Sequence, residues 1–245
     1  MTRQKTLVYE SPEELAREAA RNFAETAEAV VAERGRFAVA LAGGSTPEAT
    51  YRELAREYAG RSFWRDTHVF FGDERTVPPE SEDSNYRMAR EALLDHVEVA
   101  SVYRMKGELT PELAAAEYER DLQGFFGAVN GEPVFDLIQL GIGADGHTAS
   151  LFPRTPALEV RDRWVAANPV EKLDTDRLTL TVPVLNAARA VWFLIAGEGK
   201  AEAVAEILEG GAEPADYPSK LVRPEGGELI WALDGAAASS LSSPG

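Results

Sequence analysis

The residues best equipped for chemistry in this chain lie in Leu140-Gly141-Ile142-Gly143-Ala144-Asp145-Gly146-His147-Thr148-Ala149-Ser150-Leu151-Phe152-Pro153. Three glycines, an acid and a histidine fall within seven residues, directly after an apolar run, Phe135 to Leu140, that reads as a buried strand. Glycine adopts backbone conformations that other residues resist and lets the chain approach a ligand closely. Asp145 and His147 stand two apart and can share one small site. A carboxylate fixes an imidazole's tautomer, and the imidazole then moves a proton near neutral pH.

Three further loops follow apolar runs in the same way: Gly43-Gly44-Ser45-Thr46, Gly72-Asp73-Glu74-Arg75 and Gly197-Glu198-Gly199-Lys200. In open α/β sheets ligands bind beyond the carboxyl ends of the strands, so four such loops point to one composite site. The first runs into Pro47 at a helix start, where free N–H groups and the helix dipole favour an anion. Lys200 also stands at a helix start, where its charge opposes the dipole unless an anion lies between them. Arg75 and Arg177 are further basic candidates, each equally consistent with a surface ion pair. Asp73 and Glu74 read either as a carboxylate pair or as ordinary loop acids. His68 and His96 read as structural.

Several familiar sites are absent. The loop at Gly43 lacks the Gly-Lys-Ser/Thr of a nucleotide-binding loop. Gly141-x-Gly143-x-x-Gly146 has the spacing of a dinucleotide fingerprint, but His147 is a poor entry to a pyrophosphate-binding helix. No His, Asp or Glu spacing resembles a metal site, so no metal is expected. The serines lack a nucleophile-elbow context.

These groups need a scaffold, and composition bounds it. The chain has 245 residues, 44 % hydrophobic, with a formal net charge of −16 and no cysteine. The length suits one large α/β domain or two small ones, and no linker cuts the chain in two. The negative surface repels phosphate backbones, so no nucleic-acid partner is expected. Any anion site must be a local exception, and lysine occurs only at 5, 106, 172, 200 and 220. No segment approaches the ~18 apolar residues of a membrane span. Met1 to Lys5 lacks the apolar core of a secretory signal. These features lead to the expectation of a cytoplasmic protein without membrane contact.

Along the chain, Ser11-Pro12-Glu13-Glu14 has the pattern of a helix start, and apolar positions from Leu15 to Val31 recur at helical spacing until Gly35. Strands are expected at 37–41, 68–71, 135–140, 164–167, 177–182, 191–196 and 228–233. Helices are expected at 47–58, 86–95, from 110 toward 126, and from 200 through 208. Strands alternating with helices imply an α/β fold with a mostly parallel sheet covered on both faces. Residues 1–235 are expected to form a single domain, with 236–245 a flexible tail.

In order and spacing, the motifs resemble the 6-phosphogluconolactonases. The matching pieces are Ala42 to Pro47, Gly72 to Pro78 with Asp83-Ser84-Asn85-Tyr86, Gly141 to Pro153, Arg177 to Thr181, and Gly199-Lys200-Ala201, across roughly residues 40–205. The run His147-Thr148-Ala149-Ser150-Leu151-Phe152-Pro153 is the most specific. The shorter pieces are shared with glucosamine-6-phosphate deaminases, relatives of similar fold. Ala144 stands where lactonases often carry a charged residue or proline.

The resemblance implies a three-layer, Rossmann-like fold and the substrate 6-phospho-D-glucono-1,5-lactone. It implies His147 as base and then acid, oriented by Asp145, with no metal or organic cofactor required. Glycine-loop N–H groups, Gly143 among them, become candidates for the oxyanion site. Gly43, Gly44, Ser45, Arg177 and Lys200 become candidates for the phosphate. Asp73 would hold sugar hydroxyls or Arg75, and Arg75 would contact the substrate. The only expected partner is the anionic sugar-phosphate lactone, with the chain a monomer or weak homo-oligomer. Two alternatives stay open: an amino-sugar phosphate deaminase or isomerase with Asp73 as the base at C2, and a non-catalytic sugar-phosphate sensor.

Overall fold

The computed structural model describes residues 2–127 and 131–242. Its elements run β1 (Arg3–Tyr9), α1 (Pro12–Arg34), β2 (Phe37–Leu41), α2 (Ser45–Tyr58), β3 (Thr67–Phe71), β4 (Asp73–Arg75), α3 (Asn85–Ala92), β5 (Ser101–Val102) and α4 (Pro111–Phe126). They continue with β6 (Leu137–Leu140), β7 (Val165–Val170), β8 (Thr175–Leu180), α5 (Val182–Ala187), β9 (Ala190–Ile195), α6 (Ala201–Leu208) and β10 (Glu228–Asp234).

Seven strands form one parallel sheet in the order β1-β10-β9-β6-β2-β3-β5. Strand side chains alternate between faces, and β2 shows the consequence. Phe37, Val39 and Leu41 join a core with Leu15 and Phe23 of α1, Tyr51 of α2 and Ala89 of α3. Ala38 and Ala40 join the opposite core, with Tyr118 of α4, Leu185 of α5 and Val204 of α6. The architecture is therefore a three-layer α/β sandwich. Parallel strands need such crossovers, which is why the strands read as apolar runs in the sequence.

The start of α1 follows its sequence signal. The Ser11 hydroxyl accepts from the Glu14 N–H at 3.2 Å, Pro12 is the first helical residue, and Gly35 closes the helix at φ 74°. Left-handed backbone of this kind suits glycine at a helix end.

Arg3–Tyr9, for which the sequence carried no expectation, is a strand, pairing in parallel with β10 across its whole length. Three readings of the sequence need correction. Asp73–Arg75 is not a loop; it is a short strand in a second, antiparallel sheet of order β4-β8-β7. The strand expected at 177–182 belongs to that small sheet and ends at Leu180, because Val182 and Pro183 begin α5. The expected tail begins in contact with the body: Ala237 and Ala238 are buried, and Ala237 N–H donates to the Asp234 carboxylate at 2.7 Å. Residues 243–245 lie outside the described range. Among the described residues no helix is long and apolar enough to cross a membrane.

Candidate active site

Two buried tyrosines finish the strands that feed the site. The Tyr51 hydroxyl accepts from Ala42 N–H and donates to Ala42 C=O, both at 2.9 Å. The Tyr118 hydroxyl does the same for Phe71, at 2.8 and 3.0 Å. Each takes up both backbone groups of a residue at a strand's carboxyl end, where the ladder splits. Burial pushes both phenols up, so they stay protonated and keep donating. From these anchored ends the chain leaves toward Gly43 and Asp73.

The loops meet in a cleft of about 640 Å³. Gly43, Gly44, Asp73, Arg75, Gly143, Asp145, His147, Arg177 and Lys200 all line it, along with Asn85, Ser150, Phe152 and Lys172. Of the residues predicted from sequence, Ser45 alone is not part of the lining. It is the first residue of α2, exposed, one position beyond Gly44. Four cationic side chains against two carboxylates make the cleft the local positive exception that an acidic protein needs to hold an anion.

The Gly141–Thr148 loop is held by its own backbone. Gly143 N–H donates to His147 C=O at 2.9 Å, and Gly146 N–H to Gly143 C=O at 3.0 Å. Thr148 Oγ1 donates to Gly141 C=O, and Ser219 Oγ to Gly146 C=O, both at 2.8 Å. The Gly143 N–H is thus already used, which corrects its reading as an oxyanion donor. Its part is steric: a Cβ there would sit 2.0 Å from His147 Nδ1.

In that space His147 Nδ1 meets Asp145 Oδ1 at 2.6 Å. The imidazole lies flat on Phe152, ring centres 4.2 Å apart. Asp145 Oδ2 faces the Lys172 ammonium at 3.3 Å. The hydrogen bond from His147, assisted by Lys172, holds the Asp145 carboxyl far below the usual carboxylate range. A fixed anion on Nδ1 leaves Nε2 as the nitrogen that can exchange a proton.

Asp73 and Glu74 turn out to have separate duties. Asp73 accepts from Ser150 Oγ at 2.7 Å and from Asn85 Nδ2 at 3.2 Å, so it is a buried, held carboxylate on the cleft wall. Ser150 reaches it because Ala149 takes a left-handed φ of 46°, uncommon for a residue with a side chain. Glu74 points away and caps α3, accepting from the N–H groups of Asn85 at 2.7 Å and Tyr86 at 2.8 Å and from Ser84 Oγ at 3.0 Å. Burial pushes its carboxyl up, against the pull of those backbone donors. This cap sets Asn85 against Gly43, where a Cβ would meet Asn85 Oδ1 at 1.9 Å.

The basic wall comes from three elements. Arg75 and Arg177 are cross-strand neighbours in β4 and β8. Burial and then the charge of Arg75 lower the Arg177 guanidinium from its ordinary value. Arg75 is braced by the Asp83 carbonyl, and Arg177 by that of Asp176 at 3.0 Å. Like charges side by side are unfavourable until an anion joins them. Lys200 is the N-cap of α6, and the turn before it is fixed by Asp234, which accepts the Gly197 N–H at 3.1 Å from both oxygens. No side chain caps α2 either, and Gly44 at its N-cap has φ 102°. Its first N–H groups are therefore available to an anion.

Sequence reasoning missed the contributions of Asn85, Ser150, Phe152 and Lys172. The first three lie inside motifs quoted for the resemblance, though no role was read from them. Lys172 comes from the β7–β8 turn, where only the scarcity of lysine marked it. The other two histidines are elsewhere: His68 Nδ1 faces Ser101 Oγ at 2.7 Å, and His96 Nε2 faces the Glu91 carbonyl at 3.1 Å.

Comparison with known proteins gives a consistent result. The family described as glucosamine-6-phosphate isomerases/6-phosphogluconolactonase matches residues 10–231. A 6-phosphogluconolactonase of Synechocystis sp. is 47 % identical over 215 residues, covering 86 % of this chain and 87 % of the relative. The structure of 6-phosphogluconolactonase from Trypanosoma brucei superposes with a TM-score of 0.86 at 32 % identity, covering 99 % of this chain and 100 % of the other. A monomeric glucosamine-6-phosphate deaminase, 24 % identical, shares the fold with a TM-score of 0.77 over 96 % of this chain and 99 % of its own.

Proposed function

The chain belongs to the glucosamine-6-phosphate isomerase/6-phosphogluconolactonase family, and from that premise we propose that it hydrolyses 6-phospho-D-glucono-1,5-lactone to 6-phospho-D-gluconate. The observation that carries this reading is a single cleft holding an aspartate-fixed imidazole together with Arg75, Arg177 and Lys200. One part suits a proton transfer, the other a phosphate.

The reaction follows from these parts. His147 Nε2 takes a proton from a water as its oxygen attacks C1 of the lactone. The resulting tetrahedral oxyanion is stabilised by N–H groups and cations of the cleft. On collapse the bond between C1 and the ring oxygen breaks, and the imidazolium returns its proton to that oxygen, which becomes the C5 hydroxyl. The new carboxyl group ionises in water. His147 is base and then acid, and Asp145 stabilises the imidazolium between the two steps. The phosphate is held by Lys200, Arg177 and the first turn of α2, with Arg75 completing the basic wall. Asp73 is kept in place by Ser150 and Asn85 and accepts sugar hydroxyls. That fixed, buried position suits orientation of the sugar better than carbon-acid chemistry at C2.

Supplying the purified protein with 6-phospho-D-glucono-1,5-lactone and, separately, with glucosamine 6-phosphate tests the reading. Acid production from the lactone well above the spontaneous rate, without ammonia from the amino sugar, is the expected result. Ammonia release at a comparable rate would overturn it.

A further inference from the structure

We propose that Lys172 is a positioning residue for proton transfer at His147: its ammonium holds the outer oxygen of Asp145 and places a positive charge behind the catalytic pair. This inference rests on the assignment of His147 as the base. The geometry separates the two oxygens of Asp145. Oδ1 faces His147 Nδ1 at 2.6 Å and also accepts the His147 N–H at 3.3 Å, while Oδ2 faces Lys172 Nζ at 3.3 Å. A carboxylate attached at one oxygen can rotate about its Cβ–Cγ bond and swing the imidazole with it. Held at both, it fixes the ring plane, which Phe152 supports from one side. Lys172 reaches the pair from a different element, the 3-10 turn Glu171–Leu173 that joins β7 to β8, and β8 also carries Arg177. The aspartate thus ties the histidine loop to the small antiparallel sheet.

The charge has its own consequence. A cation behind Asp145 offsets part of the carboxylate's attraction for the imidazolium and so favours the neutral ring, the form that accepts a proton from water. The other charged groups sharing the cleft are Asp73 and Arg75 on β4, Arg177 on β8 and Lys200 at α6. None of them changes when Lys172 is replaced. The Lys172 side chain is 74 % exposed, so solvent screens its effect heavily. Its removal is therefore expected to move the histidine titration upward by about half a pH unit rather than by several.

The test is a charge series: Lys172→Arg, Lys172→Gln and Lys172→Glu. Two readouts are compared, the imidazole NMR titration of the unliganded protein and the acidic limb of kcat/KM for lactone hydrolysis. With three histidines in the chain, the His147 signal is identified by its loss in His147→Ala. Arg should leave both midpoints where they are. Gln should raise both by about half a unit and Glu by about one, and 0.5 M salt should shrink the differences. Midpoints that coincide across the series, with the wild type active, overturn the role of Lys172 and leave the proposed function standing. An NMR midpoint that moves while the kinetic limb does not overturns His147 as the base, and the inference falls with it.

Discussion

Gly143→Ala is the sharpest structural perturbation of the site. An added β-carbon would lie 2.0 Å from His147 Nδ1, 2.2 Å from Cε1 and 2.5 Å from Asp145 Oδ1, where ordinary contacts begin at 3.4 Å. The ring must retreat by the difference, about 1.4 Å, since overlap at that depth is steeply repulsive. The two backbones cannot part to make room, because Gly143 N–H is tied to the His147 carbonyl. The imidazole therefore gives way, and with it the 2.6 Å contact to Asp145. A displacement of roughly 1 Å costs about 10²-fold in a reaction that depends on alignment. Gly143 is not among the positive-φ glycines, so the backbone itself accepts alanine. The expected result is a fall in kcat of about 10²-fold with KM within about threefold, because the groups proposed to hold the phosphate are untouched. The assay is initial-rate lactone hydrolysis, with thermal unfolding followed in parallel. The double variant Gly143→Ala/His147→Ala should be no slower than His147→Ala alone, since both act through one ring. A Gly143→Ala protein with wild-type kcat would refute the assignment of this glycine as the space-maker for the Asp145–His147 pair.

Two further outcomes follow from the same site. Lys200→Ala should raise KM for the phosphorylated lactone by about 10-fold or more and scarcely alter the rate with unphosphorylated gluconolactone, as removal of a charge-assisted hydrogen bond requires; equal effects on both substrates would take the phosphate away from Lys200. For stability, the lowered Asp145 carboxyl supplies free energy that is present above the ordinary carboxylate range and lost as pH falls through and below it. The Tm gap between wild type and Asp145→Asn should accordingly be open at neutral pH and narrow progressively as pH falls below about 4. A gap independent of pH would mean that the pair does not couple to folding.

What was legible in the sequence was local. The Asp145–His147 pair needs two residues and a glycine loop, and both are contiguous. The crossover strands were visible because burial on both faces makes them continuous apolar runs. What escaped was built by distant partners. Lys172 and Asp145 are 27 positions apart, and Ser150 and Asp73 are 77 apart. Neither contact leaves a mark in local spacing. Glu74 read either as half of a carboxylate pair or as an ordinary loop acid, and neither reading foresaw that β4 would turn it away from Asp73 to the N-terminus of α3. β1 lies at a sheet edge, with Arg3 to Lys5 exposed, and lacks the apolar signature of the inner strands. Its identity as a strand comes from pairing with β10 at the far end of the chain. Ala237 and Ala238 looked like tail because alanine carries no pattern of its own, yet Asp234 turns them into the core.

The proton-transfer role of His147 is tested most directly by comparing His147→Ala with wild type on 6-phospho-D-glucono-1,5-lactone, at low temperature and slightly acidic pH where spontaneous opening is slow. A correctly folded variant whose turnover falls by about 10²–10⁴-fold, the usual contribution of a general base, is the expected result. Hydrolysis of the lactone by the variant at the wild-type rate would remove His147 from proton transfer.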